Sequence, residues 1–251
     1  MPGYDVALAP PARVLRLNKK PDRPKKTFTG RLNAEIVPDL PLQSQSLLAQ
    51  LDGYWSSRSY RRREYVYLPF ENPEKLYVVR RGFVEIGVLS RDGRELTLDV
   101  LGEGESFGAV LLPGGKGEFA RAIGPAVVED LQREDLDLLL RKEPGITIGL
   151  LKAVQSRHRE MAEKFQQMVF LDVRSRIASL LLGLYGKCGD GRGLIPISLT
   201  HQDIANSVAS SRETASLHLS ELKKLGILHY NRRHIRILSL PELAALIRPI
   251  A

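Results

Sequence analysis

The chain has 251 residues and a formal net charge of +8; its 43% hydrophobic and 26% charged residues are ordinary globular values that exclude wholesale disorder. A single cysteine, Cys188, excludes an internal disulfide framework and any four-thiolate metal or iron–sulfur site within one chain. No apolar run approaches the ~20 residues needed to span a bilayer and the N-terminus lacks an apolar signal core, so a cytoplasmic protein with no membrane partner is expected.

The charge is unevenly placed. Residues 1–31 carry eight basic side chains against two acids, residues 32–169 eighteen against twenty-one, and residues 170–251 eleven against six. Basic ends around a mildly acidic centre suit a nucleic-acid partner. The first segment mixes its Lys and Arg residues with Pro2, Pro10, Pro11, Pro21 and Pro24 and shows no period, which reads as a disordered basic tail. It serves either as a phosphate-seeking arm or as a solubilising extension.

A short amphipathic helix is expected from about Leu40 to Asp52, with Leu47, Leu48 and Leu51 on one face. Strand and turn follow from Ser59 to about Leu131. Tyr65–Leu68, Lys75–Val79 and Phe83–Leu89 read as strands, and the Asp92-Gly93 pair turns the chain into a return strand over Glu95–Leu101. Ala120–Leu131 supplies one or two more. Short strands punctuated this often predict a sandwich or barrel-like roll.

Helix dominates from Arg133, where Glu134 and Asp135 favour a first turn and Pro144 follows the last. A long helix is expected from about Ile146 to Phe170. Leu151, Val154, His158, Met161, Phe165 and Met168 recur at spacings of 3, 4, 3, 4 and 3, the a/d seam of a two-stranded coiled coil. The alternative is a helix packed on its own domain. His158 at an a-type position either fixes register or is a tolerated polar residue.

Leu199–Leu228 carries the function. Thr200 caps one helix with Asp203 near its start, and Ile204, Ala205 and Val208 form its apolar face. Ala209-Ser210 is a short turn. Ser211 caps a second helix whose buried side is drawn from Ala215, Leu219, Leu222 and Leu225, and Gly226 ends it. Two short helices across a tight turn form a helix-turn-helix, whose second helix presents its first residues to base edges in the major groove. Ile227–Tyr230 and His234–Leu238 then form a hairpin, a wing with a basic tip at Arg232 and Arg233. Arg212 and Glu213 stand at the exposed helix start, where Arg can bond guanine O6 and N7 and Glu can accept from cytosine N4. Ser216 lies one turn on. Thr200, Gln202, Ser211, Thr214 and Arg232 suit phosphate oxygens.

Ser211-Arg212-Glu213-Thr214 after Thr200–Ala205 resembles the signature of the CRP/FNR transcription regulators, relatives of the cyclic-AMP receptor protein. Phe170–Ala178 resembles the family's junction between long helix and DNA-binding domain, and Gly104–Gly108 the turn into its ligand pocket. The resemblance implies an α+β chain: a basic tail (1–31), a double-stranded β-roll sensor domain like those that bind cyclic nucleotides (32–144), a dimerisation helix (145–170) and a winged helix-turn-helix (171–251). It also implies a homodimer on a palindromic double-stranded DNA operator, acting through RNA polymerase, with Lys187–Pro196 either the polymerase-contacting loop or a simple connector.

The effector pocket departs from that pattern. Family members that bind cyclic AMP use Gly-Glu-Leu and, further on, Arg-Ser, whereas this chain has Gly108-Ala109-Val110, with Lys116-Gly117 nearest the second motif. Lys116 either meets a phosphate or belongs to a plain turn. The purine-contacting Thr-Ser corresponds to Met161-Ala162. Three contacts are thus replaced, so cyclic AMP is not expected to bind, no cofactor is assigned, and the effector stays open. A haem ligand is also lacking, since residues 53–131 contain no His or Cys. At the third base-reading position the family usually holds Arg; here Leu217 offers only apolar contact, such as to a thymine methyl. The rival reading is a ligand-binding or architectural protein with non-specific DNA binding. No nucleophile–base pair or metal-spaced cluster points to an enzyme.

Overall fold

A computed structural model describes residues 55–71, 74–108, 117–142, 144–231 and 234–248. The basic tail, the expected helix over 40–52, Ala109, Lys116 and Arg232 lie outside the described residues.

The first half is two four-stranded antiparallel sheets. One has the order β1 (Ser56–Tyr60), β8 (Ala126–Gln132), β3 (Lys75–Arg81), β6 (Ser106–Phe107); the other β2 (Tyr65–Tyr67), β7 (Glu118–Ala122), β4 (Val84–Leu89), β5 (Glu95–Leu101). Tyr67, Tyr77, Val79, Val84, Ile86, Phe107, Ala120 and Val128 pack together as their core. The rings of Tyr77 and Phe107 stack at 5.1 Å and Tyr67 lies 5.7 Å from Tyr77, so large aromatic side chains fill the space between the sheets. The β4–β5 hairpin closes through Ser90–Arg94 with Gly93 at φ +83°, as the Asp-Gly pair predicts. Its register jumps from Ile86↔Asp99 to Gly87↔Thr97, leaving Leu98 as the extra residue of a β-bulge.

α1 (Arg133–Lys142) starts with acids and ends with bases, matching the helix dipole, and buries Leu136 and Leu139 against Leu76, Leu131 and Ile146. α2 (Pro144–Phe170) begins on a proline, whose missing N–H costs nothing at a first helical position, and runs for about 40 Å. One face touches the roll: Ile146 is buried, Arg157 reaches the Ser106 carbonyl, and Lys164 Nζ donates to the carbonyls of Thr97 (2.6 Å) and Leu98 (3.0 Å) at the bulge. The heptad face stands in solvent, with Leu151, Met161 and Phe165 47–68% exposed. His158 is exposed, and Val154 and Met168 are half-buried.

At the junction Asp172 caps α3 (Val173–Cys188); the Ser175 N–H donates to its carboxylate at 2.7 Å and holds it below the usual carboxylate range. The C-terminal domain gathers Ile177, Leu181, Ile204, Ala215, Leu219, Leu222, Ile235 and Leu243 into one core. Its wing has three strands, β10 (Leu228–Tyr230), β11 (Ile235–Ile237) and β9 (Leu194–Ile195), the last pairing with β11. A short α6 (Leu240–Ala244) closes the domain.

Two expectations are corrected here. Lys187 is not in a loop: α3 carries it to the helix's last turn, where its ammonium meets Glu105 (3.1 Å), Asp99 (3.5 Å) and the Val100 carbonyl (3.1 Å) of the roll. Leu225 is not buried but 59% exposed, because the second helix of the helix-turn-helix stops before it. Gly226, at φ +72°, reverses the chain, and the Ile227 N–H bonds the Leu222 carbonyl. Ile227 therefore takes the inward position that helical spacing assigned to Leu225, as a Schellman ending requires.

Candidate nucleic-acid interface

The helix-turn-helix is α4 (His201–Ser207) and α5 (Arg212–Lys224). Thr200 and Asp203 form a reciprocal capping box: Thr200 Oγ1 accepts from the Asp203 N–H, and Asp203 Oδ2 accepts from the Thr200 N–H at 2.7 Å. Ile204, Ala205 and Val208 are buried as expected. Between the helices Ala209 adopts φ +50°, a left-handed conformation that few non-glycine residues occupy, and the Ser210 N–H returns to the Ala205 carbonyl. This fixes the angle between the helices.

Ser211 Oγ accepts from the Thr214 N–H at 3.1 Å and lies 3.0 Å from Thr214 Oγ1. Both hydroxyls thus serve the helix start, while exposed Arg212 and Glu213 project from it. Backbone hydrogen bonding at the helix start and the Ser211 hydroxyl hold the Glu213 carboxyl below the usual range. It is an acceptor at neutral pH. Leu217 is 58% exposed one turn beyond Glu213, while Ala215, Leu219 and Leu222 are buried on the opposite side. Gln202 donates to Asn206 Oδ1 at 2.7 Å. Ser216 is half-buried, with Oγ 2.8 Å from Nδ1 of His201. Gly108 leaves β6 at φ +116°, where a Cβ would lie 2.3 Å from the Lys75 carbonyl oxygen. Met161 lies on the exposed heptad face.

Several contacts joining this unit to the roll have no local sequence signal. Arg63, after β1, donates to Asp203 Oδ1 at 2.7 Å, and Arg62 to the Ser198 carbonyl at 3.1 Å. Asn206 donates to Glu95 at 3.2 Å. Glu95 is one arm of a network around Arg121, which is 6% exposed and also bonds Glu85 and Tyr65; Thr97 donates to Glu85 at 2.7 Å. The cleft between these groups holds about 10 Å³, room for one water. Among the described residues, no helix is long and apolar enough to cross a membrane.

Residues 57–143 match the cyclic nucleotide-binding domain family and residues 175–246 the Crp-like helix-turn-helix domain. The chain belongs to the CRP/FNR family of DNA-binding transcription regulators. It is 30% identical to the cyclic AMP receptor protein of Thermus thermophilus over 180 residues, covering 69% of this chain and 80% of that protein. It is 28% identical to the CRP-like cAMP-activated global transcriptional regulator of Mycobacterium tuberculosis over 204 residues, 79% of this chain and 91% of that one. The solved structure of FixK2 from Bradyrhizobium japonicum shares the fold, with a TM-score of 0.71 at 24% identity, covering 78% of this chain and 99% of that one.

Proposed function

We propose that the chain regulates transcription as a cytoplasmic homodimer on a palindromic operator, with a roll that does not hold cyclic AMP. The observation that carries the DNA reading is the polarity of α5: its apolar side is buried while Arg212, Glu213 and Leu217 stand exposed along one edge. Arg212 reads a guanine, Glu213 the paired cytosine, and Leu217 and Ser216 the neighbouring pair. Thr200, Gln202, Ser211, Thr214 and Arg232 position the helix on the backbone. The seam of Leu151, Val154, His158, Met161, Phe165 and Met168, exposed at all but Val154 and Met168, supports dimerisation, and a dimer places its recognition helices about 34 Å apart, one turn of DNA. The replaced contacts at Ala109, Lys116 and Met161 and the aromatic filling by Tyr67, Tyr77 and Phe107 support the loss of cyclic AMP. RNA polymerase is the expected further partner, met through the part of Lys187–Pro196 that lies between α3 and β9.

Selection of bound fragments from random DNA, with and without cellular metabolites, tests this reading. A two-fold-symmetric motif is expected. Arg212→Ala should cost about 1–3 kcal/mol and relax preference at one base pair. Tight, steeply salt-dependent binding with no motif would instead favour an architectural role.

A further inference from the structure

Ser216 lies on the recognition helix, but its hydrogen-bonding direction is set from outside that helix. Its hydroxyl is 2.8 Å from His201 Nδ1, on the first residue of α4 and fifteen positions upstream. The His201 ring is itself held: it packs edge-on against Tyr230 of the wing, with ring centroids 5.3 Å apart at 71°. Lys223 of α5 places its ammonium 5.0 Å from the centre of the Tyr230 ring. Histidine, serine, tyrosine and lysine thus tie α4, α5 and β10 into one cluster.

A free serine hydroxyl rotates and serves as donor to one base and acceptor to another. Donating to a bare imidazole nitrogen, it keeps one direction. When Nδ1 is bare, Ser216 donates inward and turns lone pairs outward, to meet the amino group of adenine or cytosine. When Nδ1 carries hydrogen, Ser216 accepts inward on one lone pair and keeps its O–H and its other lone pair free, so it can meet a donor or an acceptor alike. Only the tautomer with bare Nδ1 leaves a single polarity, acceptor, facing the groove. We propose that His201, with Nδ1 bare, is a positioning residue for operator specificity, accepting the Ser216 proton so that the recognition helix offers only an acceptor at one base pair. The proposal rests on the reading that Ser216 meets base edges.

The test uses the full-length protein and operators recovered by selection, with each half-site base pair varied in turn and affinity read by fluorescence anisotropy at one salt concentration. Ser216→Ala should flatten the preference at one pair by about three- to tenfold, the effect of one neutral hydrogen bond. His201→Ala should flatten the same pair to a similar degree, and the double variant no further than Ser216→Ala. His201→Asn, whose amide reaches the place of Nδ1, should restore the preference. The pair read by Arg212 should keep its preference throughout. If His201→Ala weakens every operator equally, or lowers the thermal midpoint without a change confined to that pair, the positioning role is overturned while Ser216 remains a reader. If Ser216→Ala flattens no pair, the reading beneath the proposal fails and the proposal with it; the Arg212→Ala response then shows separately whether the helix reads DNA at all.

Discussion

Lys164 tests how the long helix holds the roll. Its ammonium bonds the carbonyls of Thr97 and Leu98 at the β5 bulge. Burial pushes its pKa down to about 8 against the opposing pull of Asp99 and Glu85, with Lys187 adding to the depression. In an unfolded chain the amine stays protonated up to about pH 10.4. Below pH 8 it is charged in both states, and the folded state bears a penalty of about 3 kcal/mol, at about 1.4 kcal/mol for each tenfold change in proton affinity. Between pH 8 and 10.5 the folded protein releases this proton first, so the unfolded chain binds more protons and stability rises. The contribution is full above the unfolded pKa and is lost as pH falls through the folded one. Lys164→Met removes the titrating group at nearly constant length. Urea unfolding of both proteins at one protomer concentration, from about pH 7.5 to about pH 10.5, isolates the effect because the other titrations cancel in the difference. The stability difference should move in favour of the wild type by about 3 kcal/mol across that range. A flat difference would show that the ammonium is not desolvated and would refute the reasoning.

Phe165→Glu, at a seam position 68% exposed in the single chain, should convert dimer to monomer in sedimentation velocity and cost at least about tenfold in operator affinity; a variant that stays dimeric rules out the seam. Gly193→Ala should lower stability by about 2–4 kcal/mol in calorimetry, because at φ +86° its Cβ would lie 2.1 Å from the Ile237 carbonyl oxygen. Asp203→Ala removes a cap and an ion pair together and should cost about 2 kcal/mol in urea unfolding. Arg63→Ala should cost less than about 1 kcal/mol, since that side chain is 46% exposed; costs of similar size in the two variants would mean that the ion pair outweighs the cap.

Local chemistry made much of the fold legible. The Asp92-Gly93 turn, the Thr200 and Ser211 caps, the Gly226 stop and the spacing of Ile204, Ala205, Ala215 and Leu219 are each encoded within a few residues, and each matches the structure. What escaped was encoded at long range or in very short elements. β9 spans two residues and exists only through its partner β11. Asn206–Glu95 and Lys187–Asp99 join side chains 111 and 88 positions apart, which no periodicity reports. His201 is one of four histidines in residues 171–251, but its bond to Ser216 depends on the interhelical angle that Ala209 sets. Leu225 differs for the opposite reason: the apolar helical spacing continues one residue beyond the last turn.

The boundary between the two matched families does not follow the packing. Val100 and Ile123 of the roll belong to the same buried cluster as Ile177, Leu181, Leu219 and Leu243, with Phe83 packed against it. A fragment beginning at α3 would therefore carry a bare apolar patch where Val100 and Ile123 had been, and the roll cut off before it would show the matching scar. Swapping this helix-turn-helix domain onto another roll is then not a matter of joining two sequences between the matched families. The β5 strand that meets α4, and Ile123, would have to travel with it, so the transplantable unit is larger than the C-terminal domain alone.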